Sequence, residues 1–236
     1  MKKSALLPAL GLLVFACDLI AAQEQPEVIK SAVRLRHQRT EKDEIVTGWG
    51  SAVAVDLSDY GIQTRRYLLS AAHLVLNKNG KRLAPGQLAV ELENDGRTSW
   101  VGCKVVAVDD KADLCLLECN TDLSVLAKLG SGKENVGEEV LIVGCPSGVT
   151  PRISRGKLTT KTPNVEGELW QAAAKFWHGN SGGPVFNPNT KTICGIAVAG
   201  VKADDGNDMD PNIALFAPIG PVRRFLNAFA RLNDTK

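Results

Sequence analysis

The stretch that decides the fold and the chemistry of this chain is His178-Gly179-Asn180-Ser181-Gly182-Gly183-Pro184-Val185. It places a serine between glycines on both sides. Glycine adopts backbone conformations with positive φ at little steric cost, so a tight loop with this sequence can turn its N–H groups inward. The amides of Gly179 and Ser181 could then hold a negatively charged oxygen beside the Ser181 hydroxyl. An ordinary glycine turn is the alternative, because Gly-x-Ser-x-Gly also arises by chance.

A nucleophilic serine needs a base, because its hydroxyl reacts weakly at neutral pH and imidazole titrates near that pH. The chain has three histidines, His37, His73 and His178. The motif also matches the nucleophile turn of α/β-hydrolases, in which the catalytic histidine follows the serine. None of the three histidines follows Ser181, so the motif lacks a base in that fold.

His73 is the best candidate for the base. It ends the apolar run Tyr67–Ala72, and a rigid strand end with small neighbours can aim an imidazole into a cleft. His37 stands among arginines and is predicted to be exposed. His178, three residues before Ser181, is predicted to line the rim of a substrate groove. A hydrogen-bonded core histidine is the alternative role for His73.

The base in turn needs a carboxylate that fixes its tautomer. The candidates that follow His73 are Asp109, Asp110 and Asp113. Asp113 opens the apolar run Leu114–Leu117, where an unpaired acid would be costly. Asp109 and Asp110 have the pattern of solvated turn residues. The predicted order is therefore His73, Asp113, Ser181.

The rest of the chain predicts an all-β fold. Short apolar segments alternate with turn sequences such as Asn79-Gly80 and Asp205-Gly206, and regular helix–strand units are absent. One helix is predicted near the C-terminus, where Pro221 can occupy the first turn and apolar residues follow at helical spacing. The predicted strands are Ser51–Val55, Arg66–Ala71, Leu88–Leu92, Trp100–Val108, Leu114–Cys119, Glu139–Val143, Leu169–Ala173, Pro184–Phe186, Thr192–Val201 and Ile213–Ala217.

Composition excludes several classes of protein. The 236 residues carry 28 Lys+Arg against 26 Asp+Glu, with 44% hydrophobic residues, which is typical of a globular chain rather than a disordered one. No basic run or stripe indicates nucleic-acid binding. We predict neither a cofactor nor a metal site. The acidic stretch Asp204–Asp210 lacks the spacing and closing glutamate of an EF-hand, and the cysteines lack zinc spacing.

The N-terminus predicts export. Lys2 and Lys3 precede a short apolar run, and Ala21-Ala22 offers small residues for cleavage, so residues 1–22 are predicted to be a secretory signal. Alternatively, Val14-Phe15-Ala16-Cys17 resembles a lipoprotein cleavage box, with a signal ending at Ala16 and a lipid on Cys17. A retained anchor or buried helix is the third interpretation. The first two predict a secreted or periplasmic protein, which would contact a membrane only if lipidated.

Five cysteines remain beyond Cys17. Cys115 and Cys119 fall on one face of a strand, about 13 Å apart, too far for a mutual disulfide. Cys103 could reach either of them across a hairpin. Alternatively, all five cysteines form no disulfide and act as small buried hydrophobic residues.

The segments around His73, Asp113 and Ser181 resemble the chymotrypsin-fold (trypsin-like) serine proteases, and most of all the HtrA/Deg branch. Gly48-Trp49-Gly50-Ser51-Ala52-Val53 resembles the glycine-rich strand before the catalytic histidine. Trp170-Gln171-Ala172-Ala173-Ala174 resembles the strand that leads to the nucleophile. Gly195-Ile196-Ala197 and Ile213–Ile219 resemble the strands that close the second barrel.

The resemblance implies two six-stranded antiparallel β-barrels and a C-terminal α-helix. We expect the barrels over residues 28–120 and 139–236, joined by a linker over 121–138. It also implies a serine endopeptidase that hydrolyses protein or peptide substrates through an acyl-enzyme. His73 would be its general base, Asp113 the residue that orients it, and Ser181 the nucleophile. The amides of Gly179 and Ser181 would form the oxyanion hole, and Lys175, His178, Ala197 and Ala199 would contact substrate.

Two departures from the family pattern alter these expectations. The chain resembles a protease domain without the PDZ domain that usually follows in HtrA proteins, which leaves both PDZ gating and the oligomeric state open. Ile45-Val46 directly abuts the glycine-rich strand, which leaves no room for trypsin-type activation by a new N-terminus.

Lys175 falls where the floor of the family's primary specificity pocket lies. We favour a Lys175 side chain that extends to solvent over one that selects acidic residues of the substrate.

Two competing hypotheses are kept. One is an inactive homologue that serves as a binding module. The other is a subtilisin-like protease with Asp56 or Asp59 as its acid, which would require many helices around a parallel sheet.

Overall fold

The computed structural model describes residues 27–94, 96–161, 163–164, 167–202 and 209–233. The predicted signal and most of the acidic stretch lie outside the described residues. The strands are Ala32–Glu41 (β1), Glu44–Ala54 (β2), Tyr67–Ala71 (β3), Leu88–Asn94 (β4), Arg97–Asp109 (β5), Leu114–Cys119 (β6), Glu139–Gly144 (β7), Arg152–Thr160 (β8), Pro163–Asn164 (β9), Gly167–Glu168 (β10), Trp170–Ala173 (β11), Pro184–Asn187 (β12), Thr192–Lys202 (β13) and Met209–Pro218 (β14), and the helix is Ile219–Asn233 (α1).

The strands form two closed antiparallel barrels. The first has the order β1-β2-β3-β6-β5-β4, and the second has the order β11-β14-β13-β12-β7-β8. The short strands β9 and β10 pair only with each other among the described residues. Closure leaves neither barrel with an unpaired edge strand. The predicted all-β class, with two six-stranded barrels and a C-terminal helix, is confirmed.

Strand burial follows the sequence pattern where the pattern is strong. In β6, five of the six residues are buried, and this strand lies between β3 and β5. Two strands lack a continuous run of buried apolar residues like that of β6. In β1, arginines alternate with buried side chains, and in β8 only Leu158 is buried. For that reason β1 and β8 are absent from the strands that the sequence predicts.

Helix α1 follows β14 of the second barrel and packs against the first barrel. Its apolar side chains Val222, Phe225, Leu226 and Phe229 are buried, as the helical spacing predicts. The Phe229 ring meets the Tyr67 ring of β3 edge-on, with the centroids 5.6 Å apart. The helix therefore packs against both halves of the chain and restrains their relative position.

None of the helices described here is both long enough and apolar enough to cross a membrane.

Candidate active site

The pairing of β3 with β6 brings His73 and Asp113 together. Ala71, at the end of β3, lies opposite Leu114, at the start of β6. His73 follows the first strand end by two residues, and Asp113 immediately precedes the second. The His73 Nδ1 atom lies 2.7 Å from Asp113 Oδ2, and the His73 backbone N–H donates to Asp113 Oδ1 at 2.8 Å.

This contact fixes the tautomer of the imidazole. A carboxylate accepts hydrogen bonds, so Nδ1 carries the proton and Nε2 keeps its lone pair. Asp113 has a φ of 51°, a left-handed conformation in which aspartate is several-fold enriched. Its carbonyl oxygen accepts from the Ala72 N–H at 3.1 Å. Asp113 is thus held to the Ala72-His73 segment through both its backbone carbonyl and its carboxylate.

Ser181 lies in the nucleophile loop, residues 178–183, which packs against the first barrel. A Cβ atom added to Gly182 would lie 2.1 Å from Ser51 O and 3.0 Å from Ala71 N. The loop therefore touches β3 two residues before His73. The Ser181 hydroxyl donates to Val198 O at 3.3 Å, and within the described residues it makes no hydrogen bond to His73.

Four consecutive carbonyl oxygens of the nucleophile loop are held by hydrogen bonds. His178 O accepts from the Ser147 N–H at 2.7 Å, and Asn180 O accepts from the Gly183 N–H at 3.0 Å. The two others bind Ser51: Gly179 O accepts from its hydroxyl at 2.7 Å, and Ser181 O accepts from its N–H at 2.8 Å.

These bonds leave two amides free. In a trans peptide the N–H points away from the preceding carbonyl oxygen, so holding His178 O and Asn180 O directs the next N–H groups the opposite way. Those groups belong to Gly179 and Ser181. Neither donates a hydrogen bond to any described part of the chain. They are the two amides that the sequence predicts for an oxyanion hole.

Gly179 is required by both conformation and space. Its φ is +100°, and an added Cβ would lie 2.3 Å from Cys145 O. A side chain here would be strained and would displace the loop that holds His178 O.

His37 is buried, contrary to the predicted exposure. Only 8% of it is exposed, and the ring packs on Gly48 of the paired strand β2. Burial is the main cause that lowers the pKa of His37 to about 4, and the nearby Arg39 and His73 contribute to the same decrease. His37 is therefore neutral near pH 7 and adds no charge beside His73.

The predicted substrate-contacting residues occupy different environments. Lys175 and His178 are exposed. Ala199 is half-buried on β13. Ala197 is fully buried, and its N–H and carbonyl bind the Gly183 carbonyl and the Gly182 N–H at 2.8 and 2.7 Å.

Sequence reasoning missed Ser51, Ser147 and Val198 as parts of the site. Ser51 is fully buried and bonded to the nucleophile loop, although its neighbours in sequence predict only a glycine-rich strand. A small polar residue between Gly50 and the apolar Ala52-Val53 was the one available signal. No cluster that could hold a metal ion occurs among the residues described in the structure.

The chain is similar to serine proteases. A family profile described as "Trypsin-like peptidase domain" matches residues 50–196. Serine protease HTRA1A of Danio rerio is 29% identical over 195 residues, which are 78% of this chain and 35% of that protein. A probable periplasmic serine endoprotease DegP-like of Pseudomonas putida (strain W619) is 29% identical over 132 residues, which are 54% of this chain and 27% of that protein.

A solved structure agrees in fold. The HtrA-type protease AlgW with tripeptide aligns with a TM-score of 0.69 at 20% identity, covering 88% of this chain and 62% of that one. The chain thus spans only about a third of the length of the two curated relatives.

Proposed function

The chain belongs to the family of trypsin-like peptidase domains, and on this premise we propose that it is a serine endopeptidase that uses Ser181, His73 and Asp113. The observation that carries the proposal is the 2.7 Å contact between His73 Nδ1 and Asp113 Oδ2, at the strand end that the nucleophile loop touches. This arrangement would supply an oriented base at the strand end touched by the loop that carries Ser181 and the two free amides.

In the first half of the reaction, Ser181 Oγ attacks the substrate carbonyl carbon while His73 Nε2 takes the hydroxyl proton. The Ser181 hydroxyl must first leave Val198 O, and this costs little because the bond is 3.3 Å long. A change of χ1 rotamer would move the hydroxyl away from Val198 O. Asp113 stabilises the imidazolium that results.

The Gly179 and Ser181 amides would bind the oxygen that becomes negative in the tetrahedral intermediate. Loss of one such donor typically costs about 3–4 kcal/mol of transition-state stabilisation. The imidazolium then gives its proton to the leaving amine, and the bond to the amine breaks to leave an acyl-serine. In the second half, His73 activates a water molecule that releases the acid and restores Ser181.

The proposed substrates are proteins or peptides. Ala199 lies half-buried on β13, where it could contact substrate, while the buried Ala197 supports the loop through its backbone. His178 and Trp177 lie exposed at the start of the loop, and Trp177 is 48% exposed. Together they offer an aromatic surface to an incoming chain. For Lys175 we keep the solvent-facing interpretation rather than a role in selecting acidic side chains.

Secretion or a periplasmic location is part of the proposal. It rests on the predicted signal over residues 1–22 and on the printed name of the periplasmic DegP-like relative. Lipidation at Cys17 stays an alternative within it.

One observation favours a second candidate, a binding module without catalysis. The Ser181 hydroxyl donates to Val198 O rather than to His73. If it keeps that rotamer when a peptide binds, the loop would hold the peptide without cleaving it.

Hydrolysis of fluorescently quenched casein by the full chain separates the two candidates. We expect cleavage by the wild-type chain and loss of cleavage in Ser181→Ala, with equal thermal stability of the two proteins. Peptide binding with no cleavage by the folded wild-type chain would favour the binding module. Equal cleavage by both proteins would refute the proposal.

A further inference from the structure

Cys103 and Cys119 face each other in the first barrel. They are direct partners in the pairing of β5 with β6, and their Sγ atoms lie 2.9 Å apart. Their exposed fractions are 4% and 2%. Cys115, the other residue that the sequence offered to Cys103, lies opposite Val108, and its thiol donates to Ala71 O. The strand register therefore makes Cys119, rather than Cys115, the partner of Cys103.

The backbone at this pair has the geometry that a disulfide needs. The Asn120 N–H donates to Gly102 O at 3.3 Å, so the neighbouring pair is the hydrogen-bonded one. Antiparallel pairs alternate, which makes Cys103 and Cys119 a non-hydrogen-bonded pair with Cα atoms about 4.5 Å apart. The Cys119 N–H accordingly donates to Arg66 O instead. A disulfide tolerates Cα separations of about 4.4–6.8 Å, so no backbone movement is required.

We propose that Cys103 and Cys119 form a disulfide that closes the hairpin carrying Asp113. The cross-link would enclose residues 104–118, and Asp113 lies in the turn of that segment. It would restrict the unfolded chain and tie the turn to the barrel through two covalently joined strands. The three other described cysteines would stay as buried thiols.

The oxidant is a disulfide donor of low molecular weight or a thiol oxidase, as found in oxidising compartments. One cysteine thiolate attacks the donor disulfide, which forms a mixed disulfide and releases one donor thiolate. The second cysteine thiolate then attacks the mixed disulfide and releases the other donor thiolate. The two cysteines lose two electrons and two protons in total, and the donor is reduced to two thiols.

Oxidation takes place before the barrel closes. In the folded chain, the neighbouring Cys103 thiol and burial raise the pKa of Cys119 far above its ordinary value. A buried thiol in that state is a poor nucleophile. While the hairpin is still open, both thiols are accessible to the donor.

Refolding of the full chain tests the proposal. The reduced, urea-unfolded chain is diluted into reduced and oxidised glutathione. The folded fraction is then unfolded again in urea in the presence of the alkylating agent, and it is digested with trypsin without reduction. Cleavage yields peptide 98–104 with Cys103, and peptide 112–128 with Cys115 and Cys119. We expect these two peptides to be linked, and to remain linked in Cys115→Ala.

The stabilising effect is read from the melting temperature with and without dithiothreitol. A loop of this length predicts a decrease of about 6–12 °C on reduction. The decrease should persist in Cys115→Ala and vanish in the double variant Cys103→Ala, Cys119→Ala. Free, alkylated Cys103 and Cys119 in the folded fraction, a link to Cys115, or a melting temperature insensitive to reduction would overturn the proposal. None of these readouts depends on peptidase activity.

Discussion

The hydroxyl of Ser51 donates a 2.7 Å hydrogen bond to the carbonyl oxygen of Gly179, across the junction between the two barrels. The same hydroxyl accepts from the Cys145 N–H at 2.8 Å, and the Ser51 N–H donates to Ser181 O. Ser51 is fully buried, so these bonds do not compete with water. One residue of the first barrel thus holds two carbonyl oxygens of the nucleophile loop in the second.

Ser51→Ala should lower kcat and leave KM nearly unchanged. Without the hydroxyl, Gly179 O loses its partner, and the peptide that lies between the two free amides becomes less fixed. We expect a decrease in kcat of about ten- to a hundredfold, the equivalent of one or two hydrogen bonds. Steady-state kinetics on a quenched peptide measure it.

Ser70→Ala is the matched control for that prediction. Ser70 is equally buried, and its hydroxyl makes a bond of the same length, but to Ser51 O rather than to the nucleophile loop. Both variants should lose stability, and only Ser51→Ala should lose turnover. Equal kcat in the two variants would show that Ser51 has only a structural role.

Asp113→Asn should reduce kcat by about 10⁴-fold, because an amide that donates to Nδ1 favours the wrong imidazole tautomer. Asp109→Asn is the control. Asp109 lies in the same hairpin, and its carboxylate accepts from the Lys111 and Ala112 amides at 3.1 Å, so it shapes the turn without touching His73. A similar loss of kcat in both variants would mean that the turn, not the carboxylate beside His73, is what matters.

His37 should destabilise the fold in mild acid. Its pKa is about 4 in the folded chain and about 6.5 when unfolded, so the unfolded state binds more protons between these values. Stability therefore rises with pH across this window and is lost as the pH falls through it. Between pH 7 and pH 5 the loss attributable to His37 is about 2 kcal/mol.

Urea unfolding of His37→Gln measures that contribution. The variant should lose less stability than the wild-type chain between pH 7 and pH 5. His178→Gln, which changes an exposed histidine, should behave as the wild type does. An unchanged pH dependence in His37→Gln would contradict the burial of this ring.

Lys175→Ala should leave the side-chain preference of the peptidase unchanged, because Lys175 is exposed and an exposed lysine extends its ammonium into solvent. Cleavage of a peptide library by the wild type and the variant measures the preference. Lys157→Ala, which changes an exposed lysine of β8, controls for a general change of charge. A wild-type preference for Asp or Glu that disappears only in Lys175→Ala would show that Lys175 selects acidic residues.

The sequence predicts the strands whose apolar runs are bounded by polar residues. Strand β6 matches its prediction to the residue, since Leu114–Cys119 is flanked by Asp113 and Asn120. Strand β8 could not be found this way, because eight of its nine residues keep some exposure. When one face of a barrel strand is exposed to solvent and carries arginines and lysines, the strand has too few apolar residues for its alternation to be recognised in the sequence.

The candidate site was predictable only in its chemically distinctive residues. His73, Asp113 and Ser181 stand out because each interrupts a small or apolar environment. His37 was mispredicted because neighbouring arginines suggest water, while strand alternation turns this one ring inward onto Gly48. The role of Ser51 depends on a contact with a residue 128 positions away, which local pattern does not encode.

Labelling with a fluorophosphonate probe tests the central claim most directly, because the probe reacts only with a serine hydroxyl that a base has activated. We predict one covalent adduct on Ser181 of the folded chain, lost in His73→Ala and strongly slowed in Asp113→Asn. Ser147→Ala, which removes a neighbouring hydroxyl but keeps the backbone N–H that holds His178 O, should label normally. No adduct on Ser181 of the folded wild-type chain, or an adduct that forms equally fast without the His73 imidazole, would contradict the account.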